Sequence, residues 1–189
     1  LDTNGVTIKA YDWAEVGDKG IINNIEYTIV DEATLRQMVA NDENVTKVVT
    51  TKVTNMKSMF IGASSFNQDI GEWNIIGVTD MGNMFDNSGL STTNYDALLI
   101  DWSEQNVKPN VLFGAVNLTY CVGEITRQSL IDDKGWLFTG DQLECATAGV
   151  DDLNQLDISI YPNPTSDLVY IDGNYTNLNV VVYDILGKQ

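Results

Sequence analysis

Two cysteines, twenty-seven carboxylates and not one histidine set the chemistry open to this chain. Without imidazole there is no Ser-His-Asp or Cys-His nucleophile pair and no histidine-ligated zinc site. No glycine-rich loop followed by Lys-Ser/Thr is present to cradle phosphate. Paired carboxylates working on a glycosidic bond are the one catalytic arrangement left, and among so many acids some pair falls at that spacing by accident. The reading is therefore a non-enzymatic protein with no cofactor, and a carboxylate-based glycan-acting enzyme is the disfavoured alternative. Acidic turns at Asp132-Asp133 and Asp151-Asp152 attract cations, but neither has the spaced D-x-D-x-D-G loop of a calcium site, so no metal is assigned.

The elements that position these groups are organised by a repeat. The octapeptide VTNMKSMF at Val53–Phe60 returns as VTDMGNMF at Val78–Phe85, and upstream Val45, Val48 and Thr50 correspond to Ile70, Trp73 and Ile75, all at an offset of 25 residues. Such a repeat is a unit that cannot bury its apolar side alone and stacks on its neighbour. Ile70-x-x-Trp73-x-Ile75 has the spacing of a short strand and Val78-x-x-Met81-x-x-Met84-Phe85 that of a helical turn, which Thr54 or Thr79 can cap. The expected fold is an α/β solenoid: a short leucine-rich-repeat-like stack of about four parallel strands with short helices. The strands centre near Val49, Asn74, Leu112 and Leu137. Met56, Met59, Met81 and Met84 read as core, where unbranched thioethers fill irregular gaps, and Trp73 and Trp136 likewise.

Outward positions between the inward ones give a candidate binding face: Lys47, Val49, Glu72, Asn74, Leu112 and Leu137. Exposed Val49, Leu112 and Leu137 would form an apolar stripe, uncommon on a passive surface. The face suits a protein or glycan ligand, and a passive spacer displaying nothing is the competing reading.

Cys121 and Cys145 are 24 residues apart, one short of the repeat, which places them at nearly equivalent positions on adjacent turns. Strands on adjacent turns lie about 4.8 Å apart, inside the roughly 4.4–6.8 Å Cα window of a disulfide. A bond is predicted that stabilises the fold by about 3 kcal/mol.

Residues 1–44 read as an N-terminal α+β cap. It holds a strand over Val6–Ala10, a Gly17–Gly20 turn, and a hairpin around Asn23-Asn24, whose residues tolerate positive φ. A helix over Glu32–Ala40 follows, capped by Asp31, with Leu35, Met38 and Val39 on one face. The solenoid spans residues 45–145. Within it Tyr95, Leu98, Leu99 and Trp102 share one face of a helix starting near Ser91; Ile125 and Leu130 flank a cap at Thr126 as a staple, and Gly135 ends that helix. Residues 146–156 form a small, acidic linker. Residues 157–189 begin a β-sandwich, with strands at Ile158–Tyr161, Leu168–Ile171 and Leu178–Tyr183.

With 43% apolar residues the chain can fill a core, and its net charge of −17 repels nucleic acid and anionic membrane surfaces. No apolar run reaches the about 20 residues needed to cross a bilayer, so membrane insertion is not expected. No signal peptide is present, and Leu1 is taken to lie inside or at the start of a mature chain.

Two resemblances add to this reading. The segment Phe66-Asn67-Gln68-Asp69-Ile70 leading to Trp73 and Val78-Thr79-Asp80-Met81 resembles the BspA-type leucine-rich-repeat surface proteins common in Bacteroidetes, as do Gly89–Leu99 and the Gly135-Trp136 to Thr139-Gly140-Asp141 stretch. Tyr161-Pro162-Asn163-Pro164, with Asp184, Gly187 and Lys188 further on, resembles the C-terminal sorting domain of type IX secretion substrates. The second resemblance implies partners: the outer-membrane translocon, a shuttle protein and a sortase, with delivery to the cell surface or the medium. It also implies a seven-stranded sandwich of which this sequence carries only the first strands. The expected protein is adhesin-like cargo of that system, whose surface ligand the residues do not name.

Overall fold

A computed structural model describes residues 1–145, 159–161 and 170–172 of the chain. The chain divides into two compact units, Leu1–Ala146 and Thr147–Gln189.

The first unit opens with a β-hairpin, β1 (Lys19–Ile22) and β2 (Ile25–Ile29), closed by Asn23 and Asn24 at φ 50° and 64°. Asparagine tolerates that left-handed backbone, and two such residues give the turn that matches strand twist. The expected strand over Val6–Ala10 is not formed. That segment instead lies across the sheet, with Ile8 N–H donating to Glu72 O and Ala10 N–H to the Thr51 hydroxyl. The expected Gly17–Gly20 turn sits earlier: Asp18 N–H donates to Glu15 O, and Lys19 and Gly20 already belong to β1.

Helix α1 (Glu32–Ala40) begins where predicted. The Asp31 carboxylate accepts from Thr34 N–H at 2.8 Å, a bond that holds its pKa below the ordinary range, and Leu35 is buried. Helix α2 (Thr92–Ser103) is capped by Ser91 and buries Tyr95, Leu98, Leu99 and Trp102. Helix α3 (Glu124–Lys134) ends at Gly135, whose φ of 68° and N–H to Ile131 O make a left-handed cap. Its start differs from expectation: Thr126 lies inside the helix, its hydroxyl donating back to Gly123 O, and Ile125 faces solvent instead of stapling to Leu130.

The α/β solenoid is not formed. Of the four expected strands, β3 (Val48–Val49) pairs in parallel with hairpin strand β2, and Asn74 belongs to no strand. Only β4 (Leu112–Gly114) and β6 (Leu137–Thr139) pair with each other, again in parallel. A second two-stranded parallel sheet joins β5 (Thr119–Tyr120) to β7 (Gln142–Leu143). The result is a set of small mixed sheets and three helices among the described residues. The reason at Asn74 is that side chains occupy the backbone groups a ladder would use. Gln105 accepts from Ile75 N–H at 2.9 Å and donates to Trp73 O at 2.8 Å, while the Thr50 hydroxyl donates to Asn74 O at 3.0 Å. Once partnered in this way, those groups have no need of a neighbouring strand.

The repeated octapeptides lie side by side as turns. Met56, Ser58, Phe60 and Gly62 N–H groups donate in sequence to Asp80, Gly82, Met84 and Asp86 carbonyls. These segments are not helical turns capped by Thr54 or Thr79. Asn55 and Asp80 cap them instead, their side chains accepting from Lys57 and Gly82 N–H at 2.9 Å each. Under the turns runs the main core, a file of aromatic rings: Phe60 on Phe85 (5.2 Å), Phe85 on Phe113 (5.8 Å) and Phe113 on Trp136 (5.9 Å). Met56, Met59, Met81 and Met84 pack beside them, and Trp73 and Trp136 belong to the same cluster. The buried indoles of Trp73 and Trp136 donate to Val45 O and Lys108 O, as a polar atom in a core must.

In the second unit, β8 (Ser159–Tyr161) and β9 (Tyr170–Asp172) form an antiparallel pair. The predicted strand at Leu178–Tyr183 lies outside the described residues.

Candidate binding surface

The six residues proposed for one continuous face divide. Leu112 and Leu137 are opposite one another in the β4–β6 register and are 43% and 62% exposed. Their neighbours Phe113 and Phe138 face the other way, Phe113 into the core and Phe138 packed against it, so the alternation expected of a half-buried strand holds here. Val49 is buried, contrary to expectation. It sits in a second small cluster with Ile8, Ala14, Tyr27 and Ile29, covered by the N-terminal segment that takes the place of the missing first strand. Asn74 is buried too, its side chain accepting from Ile76 N–H and donating to the Thr51 hydroxyl.

Lys47 and Glu72 remain exposed, and both meet Tyr27. The Lys47 ammonium stands 5.4 Å from the ring centroid, and the Tyr27 hydroxyl donates to a Glu72 oxygen at 3.1 Å. Burial first, and then the Glu72 carboxylate, raise the phenol pKa, so Tyr27 stays a neutral donor.

The two cysteines form a disulfide with Cα atoms 4.8 Å apart. Cys121 follows β5 and Cys145 follows β7, so the bond prolongs a parallel pair in which Glu144 N–H donates to Tyr120 O. Two buried carboxylates that sequence reasoning missed brace this end. Asp96 on α2 accepts from the N–H groups of Cys121, Val122 and Gly123. Asp141 takes a bidentate pair of bonds from Arg127 at 2.6 and 2.8 Å and a third from the Tyr95 hydroxyl at 2.9 Å. The Arg127 guanidinium also lies over the Tyr120 and Phe138 rings. Burial, reinforced by Asp141, pushes the Tyr95 pKa well up. No spacing in the sequence distinguished these two acids from the other twenty-five.

A patch of acids gathers around Asp101. Burial, and then Asp69, Glu104 and Glu72, raise its pKa. Among the described residues no group of three or more His, Cys, Asp or Glu is placed to hold a metal ion. Asp151 and Asp152 lie outside the described residues.

A groove of about 640 Å³ opens on the smaller cluster, lined by the buried Ile8, Tyr27 and Val49 and by the exposed Lys9, Asp18 and Lys19. Tyr11 and Trp13 also line it, stacked at 5.6 Å with an interplanar angle of 8° and exposed by 74% and 75%. Sequence reasoning passed over them. Two aromatics at i and i+2 in a segment without apolar periodicity were the available signal.

Of the predicted sorting residues, Tyr161 ends β8. Pro162, Asn163, Pro164, Asp184, Gly187 and Lys188 lie outside the described residues. Residues 159–189 match the family described as the secretion system C-terminal sorting domain. The chain is type IX secretion cargo. It is exported across the outer membrane to the cell surface or the extracellular space, handled on the way by the type IX machinery. Residues 28–115 match a second family, described as Mycoplasma protein of unknown function, DUF285. No curated protein and no solved structure matches the chain. No helix among the described residues is long and apolar enough to cross a membrane.

Proposed function

We propose that this type IX cargo is a non-enzymatic, adhesin-like protein whose first unit binds a protein or glycan at the surface where the tail delivers it. The observation that carries the reading is the sorting tail over residues 159–189, joined to a unit that keeps apolar side chains at the surface. Leu112 and Leu137 are the members of the predicted face that support it. They are adjacent, fixed by backbone pairing, and turned to solvent, where they offer a partner a small apolar contact. The absence of histidine favours binding over catalysis, since the commonest general base is missing.

The test is adhesion of beads coated with the full chain to cultured epithelial cells and to immobilised matrix proteins. Changing Leu112→Thr and Leu137→Thr together should reduce adhesion at least several-fold while leaving the melting temperature nearly in place, since both side chains are exposed and threonine suits a strand. Wild-type beads that adhere no better than blank ones would favour the passive-spacer alternative.

A further inference from the structure

We propose that the Tyr11–Trp13 pair and the groove it helps to line form a binding site for an uncharged glycan. The site is separate from the Leu112–Leu137 pair, and it takes only its biological setting, not its chemistry, from the adhesion reading.

The first observation is the ring pair. An exposed tryptophan and an exposed tyrosine lie nearly parallel, 8° apart, each open by about three quarters. Flat aromatic faces carry negative potential, which attracts the electropositive C–H groups on one face of a sugar ring, while the tyrosine hydroxyl and indole N–H at the ring edges can bond sugar hydroxyls. Aliphatic patches offer neither property.

The second observation is the groove. Its volume of about 640 Å³ lies within the roughly 300–1,000 Å³ of small-ligand sites, and its lining is mostly apolar, with Ile8, Tyr27 and Val49 buried and Lys9, Asp18 and Lys19 exposed. A folded protein partner typically covers about 800 Å² on each side, a breadth a slot of this kind does not offer.

The third observation is charge. Lys9 is paired with Asp2 at 3.0 Å and Lys19 with Glu26 at 2.7 Å, and the Asp18 carboxylate accepts from Glu15 N–H. Both lysines that line the groove already face a carboxylate, and the chain as a whole carries −17. An anionic partner such as a phosphorylated or sulfated polymer is repelled at long range. A neutral, hydroxyl-rich ring with one apolar face meets all three conditions.

The structure also supplies the probe. Trp73, Trp102 and Trp136 are fully buried, so the emission that a neutral quencher reaches belongs to Trp13. The experiment titrates the full chain with short neutral oligosaccharides of the gluco, xylo, manno and N-acetylglucosamine series and follows emission and acrylamide quenching. At least one series should shift Trp13 emission to the blue and protect it. Trp13→Ala and Tyr11→Ala should each weaken binding about fivefold or more, the low end of what a base stacked on one aromatic ring contributes, with no change in melting temperature. Quenching unchanged by every series, or oligosaccharide binding that survives both substitutions, would overturn the site. So would protection of Trp13 by an unglycosylated protein alone. Bead adhesion that persists in the Tyr11→Ala, Trp13→Ala double variant alongside such a null titration would sink the glycan site and leave the adhesion reading standing.

Discussion

Reduction of the Cys121–Cys145 bond tests how the far end of the first unit is held. The bond closes a loop with a sequence separation of 24 and continues β5 and β7, which are only two residues long each. Strands that short contribute little by themselves, so the constraint on the unfolded chain should dominate. Loop-closure entropy for this separation comes to roughly 3.5 kcal/mol. For a unit of this size that corresponds to a fall in melting temperature of roughly 7–14 °C. The assay is thermal unfolding followed by circular dichroism of the wild type with and without a phosphine reductant, alongside the Cys121→Ser, Cys145→Ser double variant. Cys145 is exposed, so the reductant reaches the bond without prior unfolding. The reduced wild type and the double variant should melt together, well below the oxidised protein. A shift under about 2 °C would refute the reasoning, because it would mean that β7 and the cystine peel away without the rest of the unit losing anything.

Three further outcomes are expected. Arg127→Met strands the Asp141 carboxylate, whose side chain is 1% exposed, without its counter-charge and should cost about 3–5 kcal/mol by urea denaturation, whereas Asp141→Asn leaves a guanidinium that still reaches solvent and stays over Tyr120 and Phe138 and should cost less. Asp101 has a raised pKa, so the fold prefers its protonated form. Stability is therefore fullest below the ordinary aspartate range and is lost as pH climbs through the raised value; Asp101→Asn should melt higher than wild type at pH 7 and equal to it at low pH, and an equal melting temperature at both ends would contradict this. A Cβ at Gly114 would sit 2.2 Å from the Asn83 backbone nitrogen, so Gly114→Ala should cost at least about 1–3 kcal/mol in the same denaturation assay by forcing β4 off the 81–86 turn.

Local signals were the legible part of the fold. Asp31, Ser91 and Gly135 mark helix ends because capping is settled by one side chain or one φ angle, and Asn23-Asn24 marks a hairpin for the same reason. The core was legible as well: the methionine stripe, Trp73 and Trp136 recur at the apolar positions of the repeat and pack in the main cluster. The architecture was not. A 25-residue spacing told which segments lie side by side, and the turns over 56–62 and 80–86 do so, but it carried no information on whether they pair as strands. That depended on Gln105 and Thr50, polar residues distant in sequence whose side chains take the backbone partners around Asn74.

The same distinction explains the divided binding face. Alternation predicts exposure only when one side of a strand is open, a condition supplied by whatever packs on the other side. At β4–β6 that side is open, and Leu112 and Leu137 reach solvent as their spacing requires. At β3 the hairpin and the Thr7–Ala10 segment fold over it, so Val48 feeds the main cluster and Val49 the smaller one, and both faces of a two-residue strand are buried. The covering segment is also what carries Tyr11 and Trp13 outward. The chain that removes Val49 from the surface thus puts two aromatic rings there in its place. Substitutions at Val49 should accordingly disturb folding before they disturb binding, whereas those at Trp13 should do the reverse.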